Sequence, residues 1–276
     1  MDPIVYRGMT RSQLDAAYNN GAAVRNSEQK LAEYTERGKA TRARPGARLN
    51  LAYGPRPRNK IDIVPCGQSG APLFAFIHGG YWQRNSKETF ACMAEGPLAH
   101  GFDAALIGYT LAPDASLTEI VGEVRAAVRW LRAKGPALGL ACDKFILCGW
   151  SAGAHLTAMI LADAEADAGL AISGLYELEP CRLNYVNDKL KLTPDEQLAL
   201  SPIRHLPASS PPLTVAFGTG ELPEMQRQSR DYAAARREAK LPTQELPLAG
   251  HDHYSILEEL ADPDGVLARC LAEMAK

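Results

Sequence analysis

The sequence predicts an α/β fold, a mostly parallel eight-stranded sheet flanked by helices with a helical segment ahead of it, and three observations carry that expectation. From residue 49 onward, short apolar runs alternate with helical patterns, as they do when helices cross over between parallel strands. The chain has 276 residues, 46% of them hydrophobic, enough to bury one large core without disulfide staples. Within Leu117–Lys134, the residues Leu117, Ile120, Val121, Val124, Val128 and Leu131 recur at three-and-four spacing, which makes one apolar helix face to lay on a sheet.

Taken in order, the expected strands are Leu49–Gly54, Lys60–Val64, Leu73–Ile77, Asp103–Tyr109, Lys144–Cys148, Gly169–Ser173, Leu213–Phe217 and Thr243–Leu248. Most are short apolar runs bounded by turn residues. Helices are expected at Ser86–Ala99, Leu117–Lys134, Ala152–Ala162, Glu224–Lys240 and Gly265–Met274. Residues 1–48 read differently, helical at Arg11–Tyr18 and Glu28–Arg37, then basic and rich in Pro and Gly up to Lys60. We read them as a cap on a catalytic domain spanning 49–276. Cys181–Pro212 is the other candidate excursion over the sheet.

Charge narrows the partners. Thirty Lys and Arg against 32 Asp and Glu give a net charge of −2, without the cationic excess that binds phosphate arrays. The basic run of Arg37, Lys39, Arg42, Arg44, Arg48, Arg56, Arg58 and Lys60 has only Tyr53 interleaved as an aromatic platform, and reads as a solvated loop and edge hairpin. No stretch approaches the roughly 20 apolar residues that span a bilayer, and the N-terminus lacks the apolar run of a signal peptide. The expectation is a cytoplasmic protein that binds neither nucleic acid nor membrane. Its partners would be a small-molecule substrate and, at most, a second copy in a homodimer. Cys66, Cys92, Cys142, Cys148, Cys181 and Cys270 contain no CxxC pair, and read as reduced structural thiols.

Chemistry concentrates at strand ends. Gly149-Trp150-Ser151-Ala152-Gly153 follows an expected strand and opens an expected helix, the context that turns G-x-S-x-G into a strained turn presenting a serine nucleophile. His78-Gly79-Gly80-Tyr81-Trp82 follows another strand, so the N–H groups of Gly79 and Gly80, with that of Ala152, are candidate donors to a developing oxyanion. The carboxylate beyond the strand Leu213–Phe217 is Glu221, with Glu224 three residues on as a competitor better suited to a helix first turn. The last strand runs into His251-Asp252-His253-Tyr254, and spacing alone leaves both histidines as candidate bases. His251-x-His253 also suggests a metal pair, but a catalytic zinc needs three protein ligands and no further motif completes one. No metal and no cofactor is therefore expected.

Taken together, His78-Gly79-Gly80-Tyr81-Trp82-Gln83, Tyr109-x-Leu111-Ala112-Pro113, Cys148-Gly149-x-Ser151-Ala152-Gly153-Ala154-His155-Leu156, Ser173-Gly174-x-Tyr176-x-Leu178-Glu179-Pro180, Ser201-Pro202-x-Arg204-His205-Leu206 and Glu221-x-Pro223-Glu224 resemble the kynurenine formamidase (arylformamidase) branch of the hormone-sensitive-lipase-like α/β-hydrolases. The resemblance covers about residues 49–276 and implies cleavage of N-formylkynurenine to kynurenine and formate, with a short-chain carboxylesterase or amidase as the alternative activity. It implies Ser151 as nucleophile, Glu221 as acid and His253 as base, because the family's histidine precedes an aromatic as His253 precedes Tyr254. Tyr81, Trp82 and Trp150 are the candidate substrate-binding aromatics. Two positions depart from the animal members, which usually carry His at Trp150 and Asp at Glu221.

Overall fold

The computed structural model describes residues 2–276. The chain opens with an antiparallel ribbon of β1 (Ile4–Tyr6) and β2 (Met9–Thr10), then α1 (Arg11–Ala17), α2 (Asn20–Ala23) and α3 (Ser27–Arg42). Next come β3 (Arg48–Ala52), β4 (Lys60–Val64), β5 (Leu73–Ile77), α4 (Glu95–Ala99), β6 (Asp103–Ile107), α5 (Leu117–Lys134), β7 (Phe145–Trp150), α6 (Ala152–Leu161) and β8 (Ala168–Ile172). After β8 the chain makes three short helices, α7 (Glu179–Leu183), α8 (Asn187–Leu190) and α9 (Pro194–Ala199), before β9 (Leu213–Gly218). It closes with α10 (Pro223–Glu238), β10 (Thr243–Leu248), α11 (Glu258–Ala261) and α12 (Val266–Met274).

The eight-stranded sheet has the order β10-β9-β8-β7-β5-β6-β4-β3. From β10 to β6 all neighbours are parallel, and β4 pairs antiparallel with both β6 and β3. Both faces of the central strands are apolar, so each must be covered, as period-two alternation requires. Along β5, Leu73, Ala75 and Ile77 join one apolar cluster, and Phe74 and Phe76 join the other. All six apolar positions expected on α5 are buried against the first of these faces, and a capping box of Ser116 and Glu119 fixes where that helix starts. The second face is covered by Leu260 of α11 and by Leu267 and Leu271 of α12.

Two expectations are corrected. Ser86–Ala99 is not one helix: Ala91–Ala94 is a 3₁₀ turn and the α-helix begins only at Glu95. Pro97 has no N–H for a preceding helical turn, and it is tolerated where it falls, in the first turn of a new helix. Further upstream, α3 continues to Arg42 instead of ending at Arg37, because its basic side chains have partners. Arg37 pairs with Glu95 at 2.6 Å and Glu258 at 2.8 Å, and Arg42 Nε donates to Asp62 at 2.7 Å.

The segment ahead of β3 shares the core of the sheet. Tyr6, Leu14 and Tyr18 belong to one apolar cluster and Val24 and Tyr34 to the other. A buried charge network ties it down further: Asp62, with no exposed surface, accepts from Arg42, from Lys87 Nζ at 2.8 Å and from the Asn50 N–H at 2.7 Å. Removing one partner of a buried pair strands the other charge, so Asp62→Ala is expected to cost about 3–5 kcal/mol of stability. Chemical denaturation reads this, and a loss below about 1 kcal/mol, the range of exposed pairs, would contradict it.

Candidate active site

The site forms where the C-terminal ends of β5, β7, β8, β9 and β10 meet, the edge at which open α/β sheets gather reactive groups. Ser151 sits between β7 and α6 with φ +57° and ψ −115°, a conformation that L residues adopt only when the surroundings enforce it. The enforcement comes from both sides. Its N–H donates to the Ile172 carbonyl of β8 at 2.8 Å, and Gly153 lies so close to the Ile77 carbonyl that a Cβ there would collide with it. The helix can therefore start at once, and the hydroxyl is left at the tip of the turn.

His253 follows β10. Its Nε2 accepts from Ser151 Oγ at 3.1 Å, and its Nδ1–H donates to Glu221 Oε2 at 2.8 Å. All three side chains are buried. A carboxylate facing Nδ1 favours the tautomer with the proton on Nδ1, which leaves Nε2 free to accept from the serine. The other Glu221 oxygen is held by Ser173 Oγ at 2.6 Å and the Gly218 N–H at 2.7 Å. Ser173, just past the end of β8, was not expected to have a role at the site, although it opens the Ser173-Gly174-x-Tyr176 motif that helps carry the family resemblance.

The competing residues face elsewhere. Glu224 pairs with Arg227 at 2.9 Å and accepts from the Tyr18 hydroxyl at 3.2 Å. His251 pairs with Glu259 at 3.1 Å. The loops after β9 and β10 are joined by backbone bonds, Gly220 N–H to His251 O and Thr219 N–H to Leu248 O, both 2.9 Å. That joining is what sets Glu221 opposite His253.

Across from Ser151 runs the loop His78–Asn85, with positive φ at three successive residues: Gly80 at +116°, Tyr81 at +52° and Trp82 at +59°. Among the described residues, none accepts from the N–H groups of Gly79, Gly80 or Ala152. The loop is pinned by its side chains. The buried Tyr81 hydroxyl, its pKa pushed well above the ordinary value by burial, donates to Tyr18 O at 2.6 Å. His78 Nδ1–H donates to Gly79 O at 2.9 Å, and its ring stacks 4.4 Å from that of Tyr109.

The three aromatics expected to bind substrate take different places. Tyr81 and Trp150 line the cavity beside Ser151, together with Asn20, Leu31, Gly80, Arg84, Asn85, His253 and Tyr254. Trp150 also donates from its indole N–H to the His253 carbonyl at 2.8 Å, so it steadies the histidine loop as well as walling the cavity. Trp82 is not in that wall: it is fully buried, with its ring edge-on to His155 at 5.0 Å.

Burial pulls both His78 and His155 down from 6.5 to about 4, so both are neutral in the folded protein at neutral pH. The unfolded chain protonates them near 6.5, so stability is complete above that value and falls as pH drops toward 4. The slope is about 1.4 kcal/mol per pH unit for each histidine. Urea unfolding at pH 7 and pH 5 is expected to show a loss of about 4 kcal/mol from the pair, and equal stabilities at the two pH values would contradict it.

Sheet order, strained serine turn and facing imidazole together define an α/β-hydrolase. The comparisons agree, and make the chain a hydrolase. The family model BD-FAE matches residues 61–173. Kynurenine formamidase of Salmo salar is 35% identical, over 82% of this chain and 81% of that protein; kynurenine formamidase of Danio rerio is 32% identical over the same shares. A crystal structure of a candidate thioesterase from Silicibacter sp. superposes with a TM-score of 0.83 at 28% identity, covering 93% of this chain and 98% of that one. The chain belongs to the kynurenine formamidase family.

Proposed function

We propose that the protein hydrolyses aryl formamides, N-formylkynurenine to kynurenine and formate, through a formyl-serine intermediate. In this reading Ser151 Oγ attacks the formyl carbon while His253 Nε2 takes its proton. Glu221 holds the imidazole tautomer and offsets the imidazolium charge. The oxyanion is received by the N–H groups of Gly79, Gly80 and Ala152. His253 then protonates the departing arylamine, and a water molecule, deprotonated by the same imidazole, releases formate and restores Ser151.

The observation that carries this reading is the unbroken Ser151–His253–Glu221 hydrogen-bonded chain opening on a cavity walled by Tyr81, Trp150 and Tyr254. An aromatic wall beside the nucleophile suits an aryl leaving group. Residues 1–48 act as the cap over the catalytic domain 49–276, since Asn20 and Leu31 complete the cavity wall.

The test is kcat/KM for N-formylkynurenine against short p-nitrophenyl esters, with formate release followed directly. Preferred deformylation is the expected result. Fast ester cleavage with negligible deformylation would replace the reading with a short-acyl carboxylesterase.

A further inference from the structure

Two polar groups in the wall of the Ser151 cavity take no part in the chemistry just described. Arg84 lines the cavity and is exposed. Other arginines of the molecule are spent on fixed partners: Arg58 on the carbonyls of Tyr109 and Asn85, Arg227 on Glu177, Glu224 and Asp231. Among the described residues, no carboxylate or carbonyl takes up the Arg84 guanidinium. Its charge is felt at the cavity wall: burial raises the phenols of Tyr81 and Tyr254, and Arg84 pulls each back down.

Asn20 is the second group. It is only 3% exposed, and its Nδ2 donates to the Tyr81 hydroxyl oxygen at 3.3 Å. The Tyr81 proton is already committed to Tyr18 O, so the amide must turn its NH₂ toward Tyr81. That orientation leaves Oδ1 buried without a donor. A buried acceptor without a partner calls for an explanation, and an incoming ligand N–H supplies one.

We infer that Arg84 and Asn20 determine leaving-group specificity: Arg84 takes a carboxylate carried by the arylamine, and Asn20 Oδ1 accepts from an N–H of the same group. The acyl group named here rests on the arylformamidase reading, but the charge preference does not. An unpaired guanidinium beside the nucleophile selects an anionic leaving group whether the bond cut is an amide or an ester.

The full-length protein is assayed with N-formylkynurenine, with its deaminated acid and with neutral ortho-formamidoacetophenone. Arg84→Met is expected to lower kcat/KM on the two carboxylate substrates by about 10- to 100-fold, chiefly through KM. The neutral formamide should lose far less than the carboxylate substrates, and Arg84→Lys should recover part of the loss. Asn20→Ala is expected to penalise the amino-bearing substrate more than its deaminated counterpart, with thermal unfolding recorded to confirm folding. Equal effects on charged and neutral substrates, or none on either, overturn the inference. If the wild type cleaves no formamide, the arylformamidase reading fails separately, and the Arg84→Met comparison moves to para-acetoxybenzoate against phenyl acetate. Selective loss on the carboxylate ester still supports the inference, and its absence overturns it.

Discussion

Ser151→Ala is expected to lower kcat by about 10⁴- to 10⁶-fold on the best acyl substrate, the range found when a triad nucleophile is removed. The hydroxyl oxygen is the group held 3.1 Å from His253 Nε2, and alanine offers no atom to form the acyl bond. The N–H groups of Gly79, Gly80 and Ala152, the proposed oxyanion donors, are untouched by the change, so a small activity above the uncatalysed rate should persist. Folding should be little affected, because the turn is held by the Ser151 N–H and by the close approach of Gly153 to β5, not by the hydroxyl. Steady-state assays across formamides and esters read the effect. Undiminished turnover on every acyl substrate would remove Ser151 from the mechanism.

Glu221→Gln is expected to cost roughly 10³- to 10⁴-fold in kcat, although it keeps shape and removes only a charge. Both carboxylate oxygens are acceptors: Oε1 from Ser173 and Gly218, Oε2 from His253. A glutamine must place its NH₂ on one side. Turned toward His253, it meets Nδ1–H with a second donor and favours the opposite tautomer, which takes the acceptor away from Ser151. Turned the other way, it meets the Gly218 N–H. Glu221→Asp should retain far more activity, and Glu224→Gln should be close to wild type in kcat because Glu224 is spent on Arg227 and Tyr18. A loss below about 10-fold for Glu221→Gln would mean that the imidazole is oriented by something else.

How much of this could be read from the chain depends on the range of the forces involved. The amphipathic face of α5 and the apolar runs of the strands were legible because burial imprints a period of 3.6 or 2 on neighbouring residues. The serine turn was legible for a related reason: a strained tip between strand and helix requires small residues at fixed offsets, and Gly149 and Gly153 stand there. Where several local preferences compete, the reading slipped, as it did at Ser86–Ala99, where a second helix begins at Glu95 with Pro97 in its first turn.

By itself, then, the sequence determined the α/β architecture, the strained serine turn, the glycine loop after β5 and a short roster of acids and bases. The family resemblance already pointed to Glu221 and His253, and the tertiary structure supplies the contacts: His253 meets Glu221 and Ser151, while Glu224 and His251 pair elsewhere. Only the tertiary structure drew Asn20 and Arg84 into one cavity wall and sent Trp82 beneath it. The reason is physical: periodicity reports which side of an element is buried, whereas the direction of a loop side chain is set by distant backbone, here the bonded loops after β9 and β10, and leaves no repeating trace in the residues themselves.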